Sequence, residues 1–252
     1  MSISFKTPAE LEIIRRACQI QSEILNKVCA KVEAGISTAE LDALAEEFCA
    51  EKNVVPAFKN YQSFPATICA SVNDEVVHGI PSPDKILKNG DIIAIDFGVI
   101  LDGWYADACQ TVGVGEISGD AKKLIERTKE SLYRGIAAAR AGNTTGDIGH
   151  AVEGFVQQFG YSPVKETVGH GIGRNLHEDP EVPNWGKAGN GIELKAGMTI
   201  CIEPIINLGK AEILTEKDGW TTRTADGKLS AHFEHQILIT ENEAEILTTW
   251  DK

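Results

Sequence analysis

No stretch of the chain approaches the roughly 18 consecutive apolar residues that a membrane span requires, so no membrane partner is expected. CxxC pairs are lacking too. The six cysteines, Cys18, Cys29, Cys49, Cys69, Cys109 and Cys201, are scattered singly, which excludes a thiolate zinc site and points to a reducing compartment without disulfides. Lysine and arginine are scarce, 24 against 37 acids, for a net charge of −13. Nucleic-acid affinity rests on basic side chains neutralising phosphates, so DNA and RNA are poor partners for such a chain. Low-complexity segments, Pro/Ser/Gly-rich linkers and Gly-rich phosphate loops are missing as well. The stretch Met1–Arg16 has no apolar core of a secretory signal, and a cytoplasmic protein is expected.

What is present describes a globular protein: 42% hydrophobic and 24% charged over 252 residues. Thr7-Pro8-Ala9-Glu10 is a capping box with proline at the first helical position. The apolar spacing Leu11, Ile14, Cys18, Leu25, Val28 and Val32 predicts a helix running towards Gly35. A second box, Ser37 to Glu40, opens a helix with Leu41, Leu44 and Phe48 on its inner face. Strands are predicted from Ala66 to Val72, from Ile92, and from Trp104 to Val112, the last two joined by the turn Leu101-Asp102-Gly103. A long helix follows over Asp120–Arg140, then another from Thr144.

This order repeats. An offset of 107 residues lays Ala34–Pro56 over Ala141–Pro163 without a gap, and LKNGDIIAID (87–96) over LKAGMTICIE (194–203). The expected architecture is α+β: one catalytic domain over 1–252, built of two pseudosymmetric halves, about 8–112 and 118–250.

The same offset superposes Asp96 on Glu203, each closing an apolar strand, as a strand-end acid facing water or as one of a metal-binding pair. A buried carboxylate is costly unless paired or bound to a cation. Asp107 follows Asp96 across the hairpin, and Glu234, in His232-Phe233-Glu234-His235, takes the equivalent place in the second half. Two carboxylates per half suit a two-metal site that activates water. The histidines break the symmetry. His170 lies among glycines in Gly169-His170-Gly171, His177 follows it, and His78 ends an apolar strand before Gly79-Ile80-Pro81. His150, on a helix, reads as an ordinary turn or core histidine without a role in the site. The roles of His232 and His235 stay open.

The motifs SVNDEVVHGIPS, DFGVILDGWYADACQTVGVG, GHGIGRNLHEDP, GMTICIEP and AHFEHQILIT, in this order over nearly the whole chain, resemble the type I methionine aminopeptidases in their short bacterial form. The resemblance implies the pita-bread (creatinase-like) fold and a dinuclear site of Mn, Fe, Co or Zn ions. Its ligands would be Asp96, Asp107, His170, Glu203 and Glu234, with Asp107 and Glu234 bridging. Glu203 would also be the general base, His78 would hold the substrate amide, and His177 would contact the scissile carbonyl. Tyr61, Phe64, Cys69 and Trp220 match the methionine pocket. Phe58 stands where cysteine is common, Leu176 where an aromatic is frequent, and His232 where glutamine is usual. Asn73 and Ser230 lie where some members bind a monovalent cation. The implied partners are N-termini of nascent polypeptides at the ribosome, met by a monomer.

Two other readings share these residues: an Xaa-Pro aminopeptidase or prolidase, and a non-catalytic homologue that binds protein or RNA. The first usually carries an additional N-terminal domain. The second usually loses ligands, whereas every ligand position is filled here.

Overall fold

The computed structural model describes residues 3–250. Four helices, α1 (Pro8–Cys29), α2 (Thr38–Lys52), α3 (Gly119–Ala138) and α4 (Thr145–Val156), flank a mixed set of strands. Both predicted capping boxes form: Glu10 Oε2 accepts from the Thr7 amide and Glu40 Oε2 from the Ser37 amide, each at 2.8 Å. Helix α1 stops short of the predicted Gly35. Lys31 and Val32 donate to the carbonyls of Val28 and Cys29, tightening the chain into turns. On α2 the buried residues are Leu41, Ala45 and Cys49. Leu44 and Phe48 are only half-buried, and Phe48 lies under the Lys27 ammonium, 4.9 Å from the ring centroid.

The main sheet has nine strands: β1 (Val55–Pro56), β2 (Ile68–Val72), β3 (Ile92–Leu101), β4 (Trp104–Gly113), β5 (Gly169–Gly171), β6 (Glu178–Val182), β7 (Thr199–Ile202), β8 (Glu234–Leu238) and β9 (Glu245–Ile246). Its path runs β1-β3-β4-β8-β7-β5-β6, with β2 also on β3 and β9 on β8. Strand β2 starts at Ile68 rather than Ala66, because the amides of Thr67 and Ile68 are taken by the Asp42 carboxylate. Asp102 and Gly103 both have positive φ in the two-residue β3–β4 turn, which matches the strand twist. Two three-stranded sheets flank this one, Ser162–Pro163 with Ile205–Asn207 and Ser230–His232, and Glu75–Val77 with Thr222–Thr224 and Ile213–Thr215.

The 107-residue offset recurs bond for bond. Ser37 bridges Ile86 as Thr144 bridges Glu193, and Val55 faces Ile100 as Ser162 faces Asn207. Ala57 donates to the Gly98 carbonyl as Val164 donates to that of Ile205. Apolar alternation on β3 and β4 turns Ile93, Ile95, Phe97, Ala106 and Ala108 towards α1, where they join Ile14, Ile24 and Leu25 in one core cluster. A second cluster places Ile200, Ile202 and Ile237 with Leu132 and Ile136 of α3. Both clusters lie on one side of the sheet and leave its other face to a different chemistry. Among the described residues no helix is long and apolar enough to cross a membrane.

Candidate metal centre

Strand register builds the site. Residues opposite one another in a ladder share a face, and so do residues two apart. Asp96 opposes Cys109, and Cys109 opposes Glu234. Asp107 opposes Gly98, two residues past Asp96, so the two aspartates are diagonal neighbours on one face. Cys201 opposes Gln236, and Glu203 lies two residues beyond it. The face away from the helices therefore carries Asp96, Asp107, Glu203 and Glu234 together. Asp96 is not at a strand end as expected. It sits inside β3, because Phe97–Leu101 continue the ladder as far as the hairpin turn.

His170 joins this face from β5. The glycines around it are required by close packing. A Cβ on Gly169 would lie 2.3 Å from the Cys201 carbonyl oxygen, and one on Gly171 2.2 Å from that of Asp179. His170 Nδ1 meets the Gly171 carbonyl at 3.0 Å, which leaves Nε2 as the free donor atom. Three donor groups result, each with ligand atoms within 4.8 Å of one another: Asp96, Asp107 and Glu234; Glu203, His232 and Glu234; His170, Cys201 and Glu234. Glu234 is common to all three.

The electrostatics demand a cation. Burial, then the charges of Asp96 and Glu203, holds the Asp107 carboxyl well above the usual carboxylate range. Burial, followed by Asp107, Glu203 and Asp96, does the same to Glu234. Asp96 and Glu203 are also raised, first by burial. Asp96 Oδ1, Asp107 Oδ1, Glu234 Oε1 and His232 Nε2 are buried without a hydrogen-bond partner. Buried polar atoms normally find partners, and orphaned oxygens in a crowd of acids are what a divalent ion would satisfy. The donor set fits such an ion. Cys201 is a poorer donor, because burial and the Glu234 charge push its thiol well up and keep it protonated.

Above this floor opens a cavity of about 250 Å³. Phe58, Tyr61, Phe64, Cys69, Leu176 and Trp220 wall it, and His78, His177 and His232 point polar edges into it. Trp220 sits edge-on to Phe64 at 5.2 Å and to His78 at 5.9 Å. Burial lowers His78 to about 4, which keeps its imidazole neutral. His177, at the rim, is hydrogen-bonded through its Nδ1 to the Tyr61 hydroxyl, 2.8 Å away. The loop carrying His177 is fastened by Glu178, whose Oε1 accepts from the Arg174 and Asn175 amides and whose Oε2 accepts from Ser4 and Lys6.

Every residue expected to hold the divalent ions or the substrate thus faces this floor or this cavity. Asn73 and Ser230 lie apart from it, joined by a bond from the Ser230 amide to the Asn73 carbonyl. The Asn73 side chain is engaged by Asp91 and the Ile92 amide. Sequence reasoning missed Thr167, Val168, Val77 and Ile205 as lining residues, and the Tyr61–His177 bond. It also left His232 and His235 undecided, although period two puts His232 on the face of Glu234 and His235 on the other. His235 stacks on Trp250 at 3.8 Å and bonds Thr248.

Residues 12–241 match the model of metallopeptidase family M24. The chain is 47% identical to a methionine aminopeptidase of Clostridium acetobutylicum over 246 residues, 98% of each chain. The crystal structure of methionine aminopeptidase from Thermotoga maritima superposes with a TM-score of 0.97 at 41% identity, covering 98% of this chain and 100% of that one. The chain belongs to the methionine aminopeptidases of family M24. A prolidase from Pyrococcus horikoshii shares only the fold, with a TM-score of 0.79 at 24% identity over 98% of this chain and 64% of that one. Both relations identify the architecture as the pita-bread fold, and membership of a metallopeptidase family agrees with the orphaned donors. The chain is a divalent-metal hydrolase.

Proposed function

We propose that this methionine aminopeptidase removes the N-terminal methionine of nascent polypeptides whose second residue is small, as a cytoplasmic monomer. The observation that carries the reading is a floor of unpartnered buried donors beneath a cavity of about 250 Å³ walled by aromatic and apolar side chains. The ligands are Asp96, Asp107, His170, Glu203 and Glu234, holding two ions, with Glu234 central to every donor group. One imidazole among four carboxylates is a hard, oxygen-rich set that accommodates Mn²⁺, Fe²⁺, Co²⁺ or Zn²⁺.

Divalent ions bound there would act as Lewis acids on the scissile carbonyl and lower the pKa of an attacking water. The free amino group of the substrate would be taken by an ion held on this floor, which explains why only the first residue is cut. Phe64, Cys69 and Trp220 take the thioether through sulfur–aromatic and apolar contact and exclude water. Glu203 takes the proton of the attacking water and returns it to the leaving amine, from its place on the floor of the cavity. Tyr61 and His177 Nδ1 share a hydrogen bond, and with the hydroxyl as its donor the proton of the neutral imidazole is on Nε2. His177 then donates from Nε2 to the carbonyl oxygen as charge develops there. His78, neutral and edge-on to Trp220, orients the substrate amide.

Purified protein with Mn²⁺, Fe²⁺ or Co²⁺ should release methionine from Met-Ala and Met-Gly peptides and spare Met-Lys and Met-Leu peptides. No turnover with any of these metals overturns the reading, and faster cleavage of Xaa-Pro peptides would transfer it to the prolidases.

A further inference from the structure

The mechanism above leaves two buried imidazoles unused, and of these only His232 faces the metal site. His232 closes the strand Ser230–His232, opposite Ile205, and its ring is 2% exposed. Its backbone is clamped on both sides by one hydroxyl: Thr111 Oγ1 accepts from the His232 amide at 2.9 Å and donates to the His232 carbonyl at 2.8 Å. The backbone is therefore fixed and the ring is buried, yet its Nε2 has no hydrogen-bond partner. Glu203 Oε2 is 3.5 Å from that nitrogen, without the geometry of a hydrogen bond. The other histidines differ. His235 is taken by Thr248, His177 by Tyr61, and His170 is pinned through Nδ1 to Gly171.

Donors to one ion at about 2.0–2.2 Å lie about 3–4 Å apart, so the spacing of His232 Nε2 and Glu203 Oε2 suits a shared ion better than a direct bond. A ring nitrogen of His232 also lies within 4.8 Å of ligand oxygens of both Glu203 and Glu234. We propose that His232 is a sixth protein ligand, giving the metal centre a second imidazole donor beside His170. The inference rests on the metal-centre reading given above. A second nitrogen softens the donor set and favours Co²⁺, Ni²⁺ and Zn²⁺ over Mn²⁺ more strongly than five ligands with one imidazole would.

The test uses the full chain. Pulsed electron-spin-echo spectroscopy of the Mn²⁺-loaded protein, with histidine labelled by ¹⁵N, counts directly coordinated nitrogens without any mutation. Titration calorimetry with Co²⁺ and Mn²⁺ is then run on wild type, His232→Gln and His232→Ala, with circular dichroism to verify folding. Two coupled imidazoles are expected in wild type and one in His232→Gln. Co²⁺ affinity should fall roughly 10- to 100-fold in both variants, and Mn²⁺ affinity by less. One coupled imidazole in wild type overturns the inference and leaves the metal centre standing. A chain that binds no divalent ion overturns both. Should a variant fail to fold, the nitrogen count in wild type still decides.

Discussion

The two halves supply the same number of carboxylates by different routes. In the first, Asp96 and Asp107 stand on neighbouring strands of a tight hairpin and are locked by ten consecutive residue pairs. In the second, Glu203 and Glu234 are separated by an excursion through Ile205–Asn207, Ile213–Thr215, Thr222–Thr224 and Ser230–His232. The first half has no counterpart to this excursion, and it brings Trp220 and His232 to the site. Symmetry makes the floor, and the broken symmetry makes the cavity. The shorter aspartates sit where the strands are rigid, and the longer glutamates reach in from the more elaborate half.

Removing one acid from each half challenges this comparison most strongly. Asp107→Ala and Glu203→Ala should each lower kcat/KM by more than about 100-fold and weaken metal binding in calorimetry, since even indirect partners of a metal site cost that much. If Asp107→Ala turned over near the wild-type rate, the halves would not share the work. The asymmetric rim comes next. His177→Ala should lower kcat by about 10²–10³-fold with metal affinity unchanged, as for the loss of one oxyanion donor. Tyr61→Phe, which leaves His177 Nδ1 without its donor, should fall between wild type and His177→Ala and alter the pH profile of kcat.

A pH experiment separates floor from rim. The four carboxyls are raised in the folded chain above their unfolded values, chiefly by burial. Their contribution to folding is therefore present at low pH and is lost as pH rises beyond the ordinary carboxylate range of about 4. Without metal the melting temperature should drop between about pH 5 and about pH 8. Mn²⁺ at one fixed concentration, 100 times its dissociation constant at about pH 8, should restore about 2.7 kcal/mol there and less at lower pH, where protons compete for the carboxylates. A metal-induced rise in melting temperature that shrinks with pH would contradict the arrangement. The smallest effects belong to the walls. Phe58→Cys and Leu176→Phe should change kcat/KM on Met-Ala peptides by roughly tenfold at most, with metal affinity unaltered.

The repeat made much of this legible. Capping residues and the 107-residue offset placed the helices, the hairpin and the pairing of Asp96 with Glu203, because both halves obey the same hydrogen-bond rules. Helix ends and strand starts were less readable, since Asp42 captures the Thr67 and Ile68 amides from a distance in sequence. Asp96 looked like the end of a strand because Gly98 interrupts the apolar run, yet Gly98 is where Asp107 pairs. A Cβ there would crowd the Ala106 carbonyl at 2.9 Å and the Phe58 ring at 3.1 Å. The lining residues Val77 and Thr167, like the Glu178 anchor to Lys6, depend on contacts between segments distant in sequence that no local pattern encodes.

Where the hairpin of the first half meets β8 of the second, the ladder is only two residue pairs long, Glu234 with Cys109 and His235 with Ala108. The carboxylates straddle that short seam. An ion held by acids from both sides would work as a rivet, joining sequence-distant strands that few backbone bonds connect and closing a long loop of chain at a single point. Loss of metal should then be felt first as faster amide exchange along β4 and β8, before the helices on the far side of the sheet respond. The catalytic ions would be structural fasteners as well, and the chain would assemble fully only once it could work.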